Sequence, residues 1–154
     1  MIFINNFIIC SSTGNGNTEL NSFDEALLNS GVANYNLVKV SSILPADMSL
    51  RKEISLKEGE VLFTAYASKT TKRKGELISS AVAVGIPNDP ASIGVIMEYS
   101  GVCTKDEALQ MVENMVRDAM NTRNKTIKKV LSTSVENKCE SECFVTTFAA
   151  IAMW

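Results

Sequence analysis

Phe144-Val145-Thr146-Thr147-Phe148-Ala149-Ala150-Ile151-Ala152-Met153-Trp154 is apolar nearly throughout and carries no charge. A strand with one solvated face alternates apolar and polar residues, whereas an unbroken apolar run of this kind reads as a strand buried on both faces. A strand covered on both faces needs a further layer on each side of its sheet. The stretch therefore predicts an α+β domain with much of its sheet turned inward.

Working outward, the rest of the chain supplies those layers. Val61 to Ser68 and Glu76 to Ile86 read as two long strands separated by a basic turn, Lys69 to Lys74. Ile93 to Tyr99 and Ile127 to Val135 read as two more, and Asn36 to Val40 alternates with β-branched residues. Met1 to Ile4 and Phe7 to Cys10 read as a first strand interrupted by two asparagines. Ser11 to Thr18 is small, polar and glycine-containing, which predicts a loop, but no Gly-Lys-Ser/Thr ends it as a phosphate cradle requires. Two helices complete the set. Thr104 and Glu107 form a capping box, followed by Ala108, Met111, Val112, Met115, Val116 and Ala119 at helical spacing, so these methionines are expected in the core. Ser22 and Glu25 suggest a second capping box, with Gly31 ending that helix in the left-handed conformation. Six or seven strands and two helices in 154 residues, with no linker or repeat, make one domain.

Composition excludes several kinds of function. Hydrophobic residues are 45% and charged residues 21%, and 15 Lys and Arg against 17 acids give a net charge of -2, the reverse of a nucleic-acid-binding surface. There is no histidine, so no Ser-His-Asp triad, Cys-His pair or His-ligated metal site can be built. Cys10, Cys103, Cys139 and Cys143 read as free thiols rather than a disulfide framework or a metal site. Residues 1–10 lack a basic region and a cleavage site, so they do not read as a signal peptide, and no run approaches the ~20 apolar residues of a membrane span. A cytoplasmic protein with no membrane and no nucleic-acid partner is expected.

The dipeptide Ser-Ser occurs three times, at 11–12, 41–42 and 79–80. Only Ser41-Ser42 ends an apolar strand and precedes Ile43-Leu44-Pro45, so the backbone leaves the sheet there, where a side chain can face a pocket from a fixed position. Glu98 stands at the end of the apolar run Ile93 to Met97. Desolvation should raise the pKa of a carboxyl there and suit it to general-acid work near neutral pH. On residue type alone, Asp24 is an early helix acid complementing the macrodipole, and Asn36 is a turn former at a strand start.

The segments Leu20-Asn21-Ser22-Phe23-Asp24-Glu25-Ala26-Leu27-Leu28-Asn29-Ser30-Gly31, Asn36 to Pro45, Thr64-Ala65-Tyr66 and Gly94-Val95-Ile96-Met97-Glu98-Tyr99 together resemble the pyruvoyl-dependent arginine decarboxylases. The resemblance extends more loosely from Gly14 to Trp154, and it implies a layered αββα sandwich. It also implies self-cleavage between Ser41 and Ser42, giving a β chain of residues 1–41 and an α chain of residues 42–154. In that chemistry the Ser42 hydroxyl attacks the Ser41 carbonyl, and β-elimination of the resulting ester leaves a pyruvoyl group where Ser42 stood. That carbonyl condenses with the substrate α-amine and acts as electron sink, so neither pyridoxal phosphate nor a metal is called for.

The same resemblance gives Asn36 a part in self-processing, Asp24 the substrate guanidinium, and Glu98 the proton delivered after carbon dioxide leaves. It implies L-arginine as substrate, agmatine as product, and homotrimers, sometimes paired into hexamers, with sites between subunits. Two alternatives stay open. One is a pyruvoyl decarboxylase for another cationic amino acid such as lysine or ornithine, since one carboxylate does not separate guanidinium from ammonium. The other is an unprocessed, non-catalytic oligomeric homologue. The chain departs from the family pattern at Ser100, where relatives often carry an acid, and in a longer polar hairpin around Asn137 to Cys143.

Overall fold

The apolar stretch forms β9 (Phe144–Met153), the middle strand of a five-stranded sheet. Its neighbours are β1 (Asn6–Gly16) and β5 (Val61–Thr71), both antiparallel to it. The sheet is completed by two short strands, β2 (Asn36–Lys39), parallel to β5, and β4 (Ser49–Leu50), parallel to β1. A second, antiparallel sheet has the order β3 (Ile43–Leu44), β7 (Gly94–Gly101), β6 (Leu77–Pro87), β8 (Ile127–Lys138). The two sheets stack face to face, with α1 (Glu19–Ser30) outside the first and α2 (Lys105–Thr122) outside the second. The computed structural model describes residues 3–154. It is an αββα sandwich, as the resemblance implied.

Three apolar layers hold the sandwich together. Phe7, Ala65, Ile151 and Met153 of the first sheet meet Leu44, Val82, Val84 and Ile96 of the second. Ala26 of α1 packs with Ile8, Leu62 and Phe148, whereas Val112, Val116 and Met120 of α2 cover Ala81, Ala83 and Val95. Phe148, Ile96 and Ile151 are fully buried, each contributing roughly 1.5–3 kcal/mol relative to exposure. Because β9 has one face toward α1 and the other toward the second sheet, both its residue sets are apolar or small.

Several local expectations need correction. Residues 11–16 are not a loop but the second half of β1, paired residue by residue with β9. Gly14 and Gly16 lie under α1, where an added Cβ would overlap the backbone of Ser22. They are glycines because the helix touches the strand, and the Ser12 hydroxyl seals the contact by donating to the Ala26 carbonyl. The strand begins at Asn6 rather than among Phe3 and Ile4, and Met1 and Ile2 lie outside the described residues. Thr18, not Ser22, caps α1. Ser22 is buried one turn further in, its hydroxyl 2.7 Å from Thr146 Oγ1, and Glu25 accepts the Asn15 N–H instead of closing a capping box. Gly31 does end the helix in the left-handed region, at φ 81°.

In α2 the capping box of Thr104 and Glu107 is present. The buried stripe, however, steps by four through Ala108, Val112, Val116 and Met120. That places Met111 on the flank, 46% exposed, and Met115 half-buried; Met120 is the methionine in the core. The strands on either side of the basic turn belong to different sheets, so this connection is a crossover and not a hairpin. All four cysteines are unpaired, and no helix among the described residues is long and apolar enough to cross a membrane.

Candidate active site

The chain passes from one sheet to the other at Ser41 and Ser42. On the near side, the Val40 N–H donates to the Thr64 carbonyl of β5 at 3.2 Å. On the far side, the Ser42 carbonyl accepts the Ile96 N–H of β7 at 2.9 Å, and β3 then pairs with β7 through Ile43 and Val95. The Ser41–Ser42 peptide thus spans the gap between sheets, anchored at both ends. Within it, the Ile43 N–H donates to the Ser41 carbonyl at 2.8 Å, a three-residue turn closed by an i→i+2 hydrogen bond.

Ser42 is half-buried, and its hydroxyl donates to both carboxylate oxygens of Glu98, at 3.0 Å and 2.9 Å. Glu98 shares a face of β7 with Ile96 and Ser100, the face turned toward the first sheet, and stands opposite Val82 of β6. Burial pushes its carboxyl above the ordinary carboxylate range, while the Ser42 hydroxyl and then the Lys39 charge pull it back down. Lys39, the last residue of β2, holds its ammonium 4.5 Å from the centroid of the Tyr66 ring. A serine hydroxyl, a carboxyl tuned upward and a carbonyl with a hydrogen-bond donor on its oxygen therefore meet at one peptide bond.

The other two candidate residues stand apart from this cluster within the chain. Asn36 opens β2, and its side chain donates to the Gly59 carbonyl at 2.7 Å. Five residues of near-extended chain, roughly 16 Å, separate it from Ser41. Its amide braces the start of the strand and does not meet the Ser41 carbonyl. Asp24 is exposed on α1, outside the first sheet, whereas Glu98 faces the layer between the sheets. Its neighbour Phe23 packs with Tyr66, ring centroids 6.3 Å apart. Two clefts, of about 330 Å³ around Leu44, Met48 and Lys128 and about 420 Å³ around Leu20, Phe23 and Thr70, take in neither Ser42 nor Glu98.

Sequence reasoning assigned nothing to Lys39, Tyr66 or the Ile43 amide. The lysine had a signal, being the one charge in the strand leading to Ser41. The amide had none, since every residue but proline carries one. Among the described residues no group of three or more Cys, Asp and Glu side chains is placed to hold a metal.

Comparison with known proteins bears on the same segments. The sequence profile of one family, pyruvoyl-dependent arginine decarboxylase, matches residues 6–154. A pyruvoyl-dependent arginine decarboxylase of Methanococcus aeolicus is 38% identical over 150 residues, covering 97% of this chain and 90% of its own. One from Methanocaldococcus jannaschii is 37% identical over the same share of both chains. Another, from Thermococcus sibiricus, is 40% identical over 124 residues, 79% of this chain and 78% of its own.

Proposed function

The chain belongs to the family of pyruvoyl-dependent arginine decarboxylases, and from that premise we propose that it converts L-arginine to agmatine and carbon dioxide after cutting itself between Ser41 and Ser42. The observation that carries the reading is the Ser42 hydroxyl lying against Glu98 where the chain crosses from the first sheet to the second between β2 and β3. These residues fit a pyruvoyl group derived from Ser42. The hydroxyl is oriented, the neighbouring carbonyl is hydrogen-bonded, and both sides of the bond are tied to separate sheets. When formed, that group supplies the electron-accepting carbonyl that lets carbon dioxide leave.

The cut divides the chain into residues 1–41 and 42–154 without dividing the fold. The shorter piece contributes β1, wedged between β9 and β4, together with α1 and β2. Its hydrogen bonds and the buried faces of Phe7, Ile8 and Ala26 keep it in place. Burial raises the affinity of the Glu98 carboxyl for a proton, which suits it to deliver one to the substrate carbon from which carbon dioxide has left. Asn36 supports self-processing by fixing the start of the strand that ends at the cut.

Asp24 binds the guanidinium as a bidentate acceptor. Because it is exposed and on the far side of the first sheet from Glu98, this reading requires Asp24 of a neighbouring subunit at each site. A homotrimer, alone or paired into a hexamer, meets that requirement. The free thiols suit the reducing cytoplasm.

Intact mass under denaturing conditions tests the core of the reading. Two fragments divided after Ser41, the larger blocked at its N-terminus, are expected, with carbon dioxide released from arginine in preference to lysine or ornithine. A single full-length species after prolonged incubation would overturn it.

A further inference from the structure

We propose that Cys139 and Cys143 are a peroxide-sensitive pair, closing reversibly into a disulfide that fastens the end of the second sheet to the start of β9. The two thiols bracket the passage from β8 to β9, where the chain crosses between sheets for the last time. Cys139 is fixed in place. Its N–H donates to the Glu76 carbonyl at 3.0 Å and its carbonyl accepts the Gly75 N–H at 2.7 Å, extending the pairing of β8 with β6. Its side chain is fully buried with Ile78 and Val145, and Cys143 packs on the same cluster while half-exposed. The turn between them folds so that Ser141 touches both. The Cys139 thiol donates to the Ser141 carbonyl at 3.3 Å, and Ser141 Oγ stands 2.8 Å from Cys143 Sγ. The Cys139 thiol also reaches the Cys143 carbonyl, at 3.6 Å.

Other partners are out of place. Cys10 lies in the layer under α1, and Cys103 lies in the layer under α2, 3.0 Å from Ser79 Oγ. Among the described residues no third Cys, Asp or Glu is placed to join the two thiols on a metal. With hydrogen peroxide as oxidant the step balances. The Cys143 sulfur, the one that solvent reaches, bonds to a peroxide oxygen, the O–O bond breaks, and a sulfenic acid and one water form. The Cys139 sulfur then bonds to the Cys143 sulfur, the S–O bond breaks, and the hydroxyl leaves with the Cys139 proton as a second water. The thiols give up two electrons and the peroxide takes two. A dithiol reverses the bond by exchange.

The test treats folded wild-type protein with one equivalent of hydrogen peroxide, alkylates the remaining thiols and digests with a protease that cuts after glutamate. Glu140 and Glu142 lie between the two cysteines, so digestion separates them unless a disulfide joins them. The expected product is the joined pair, about 2 Da lighter than its separate parts for the two hydrogens lost, with Cys10 and Cys103 alkylated. Dithiothreitol should make Cys139 and Cys143 alkylatable again. The oxidised protein should melt a few degrees higher. In Cys139→Ser a sulfenic acid should persist on Cys143 and be trapped by dimedone, whereas Cys143→Ser should leave Cys139 unlabelled. Separate, alkylated Cys139 and Cys143 peptides from peroxide-treated wild type overturn the proposal without any variant having to fold. An unchanged melting temperature overturns the fastening, and dimedone on Cys139 in the Cys143→Ser chain overturns the order of attack. Val145 pairs with Thr71, seven residues along β5 from the Thr64 that holds Val40, roughly 23 Å away. The outcome is therefore independent of whether the chain cuts itself.

Discussion

The layer between the two sheets has two unlike ends. At one, Phe7, Val84, Ile96, Ile151 and Met153 pack without a polar atom between their side chains. At the other, hydroxyls bridge the sheets in pairs: Ser11 with Thr133 at 2.7 Å and Ser80 with Thr147 at 2.8 Å, while Ser100 donates to the Ser68 carbonyl at 3.2 Å. Glu98 stands at the boundary, between Ile96 and Ser100 on β7. The paired hydroxyls satisfy one another permanently, and no buried side-chain polar atom among the described residues lacks a partner. The partner of Glu98 is the Ser42 hydroxyl, the one that the proposed self-cleavage would consume. On the proposed function, two polar contacts of similar length would have opposite purposes, one lasting and one made to be spent.

The largest expected effect comes from removing the spent partner. Ser42→Ala deletes one oxygen from a half-buried site, so the chain should fold and remain whole, with no decarboxylation. Intact mass and a carbon dioxide assay read both outcomes, and cutting at full rate would show that the reacting hydroxyl lies elsewhere. Glu98→Gln should separate the two stages. Glutamine keeps an oxygen to accept the Ser42 hydroxyl, so cleavage after Ser41 should persist. It has no proton to deliver, so turnover of the cut enzyme should fall about 10²–10⁴-fold. Near-normal turnover would make Glu98 a structural residue and move the search to Tyr99 or a bound water.

Asp24→Asn, remote from this boundary within the chain, should chiefly weaken binding of arginine and agmatine. Losing a charge-assisted contact of about 1.5–3 kcal/mol corresponds to roughly 10–100-fold. The maximal rate should change less, because the group does not act at the reacting carbon. Calorimetry with agmatine on the cut enzyme measures this, and unchanged binding would remove Asp24 from the site. At the hydroxyl end, Ser80→Ala orphans the buried Thr147 hydroxyl and should cost about 1–3 kcal/mol in chemical denaturation. Cleavage should be untouched. If Ser80→Ala slowed cutting instead, the lasting and the spent contacts would not be independent.

Legibility in the sequence followed the range of the forces involved. The doubly buried β9, the capped α2 and the turn at Gly31 are written in local pattern and could be read directly. Ser41-Ser42 could be singled out from the other two serine pairs because a strand stops there, and Glu98 because an acid in an apolar run is costly. Gly14 and Gly16 misled because glycine serves both a turn and a close helix contact, and only the packed helix shows which. The two-residue strands β3 and β4 are too short for any period to register, yet β3 fixes the far side of the Ser41–Ser42 peptide. Ser22 looked like a cap because the sequence cannot show that Thr146 faces it from 124 residues away. The distance of Asp24 from Ser42 is likewise a tertiary fact, with no trace in the spacing of the residues, whereas that of Asn36 follows from the extended strand between them.

The smallest effect expected is a change in how stability depends on pH, and it probes the boundary itself. In the uncut chain, burial raises the Glu98 carboxyl, while the Ser42 hydroxyl and the Lys39 charge oppose the rise. Ser42→Ala removes the larger of the two opposing influences, so the carboxyl should rise further. A carboxyl whose pKa is higher folded than unfolded adds stability that is fully present below its unfolded pKa and is lost as pH climbs through the folded one. Glutamine at this position does not titrate. Melting temperatures of Ser42→Ala and of the double variant Ser42→Ala, Glu98→Gln should therefore diverge as pH rises from the acid side, with the double variant gaining, and the gap should level off once Glu98 is ionised. A gap that stays flat across the carboxylate range would mean that Glu98 is solvated, and that the apolar end of the layer does not reach it.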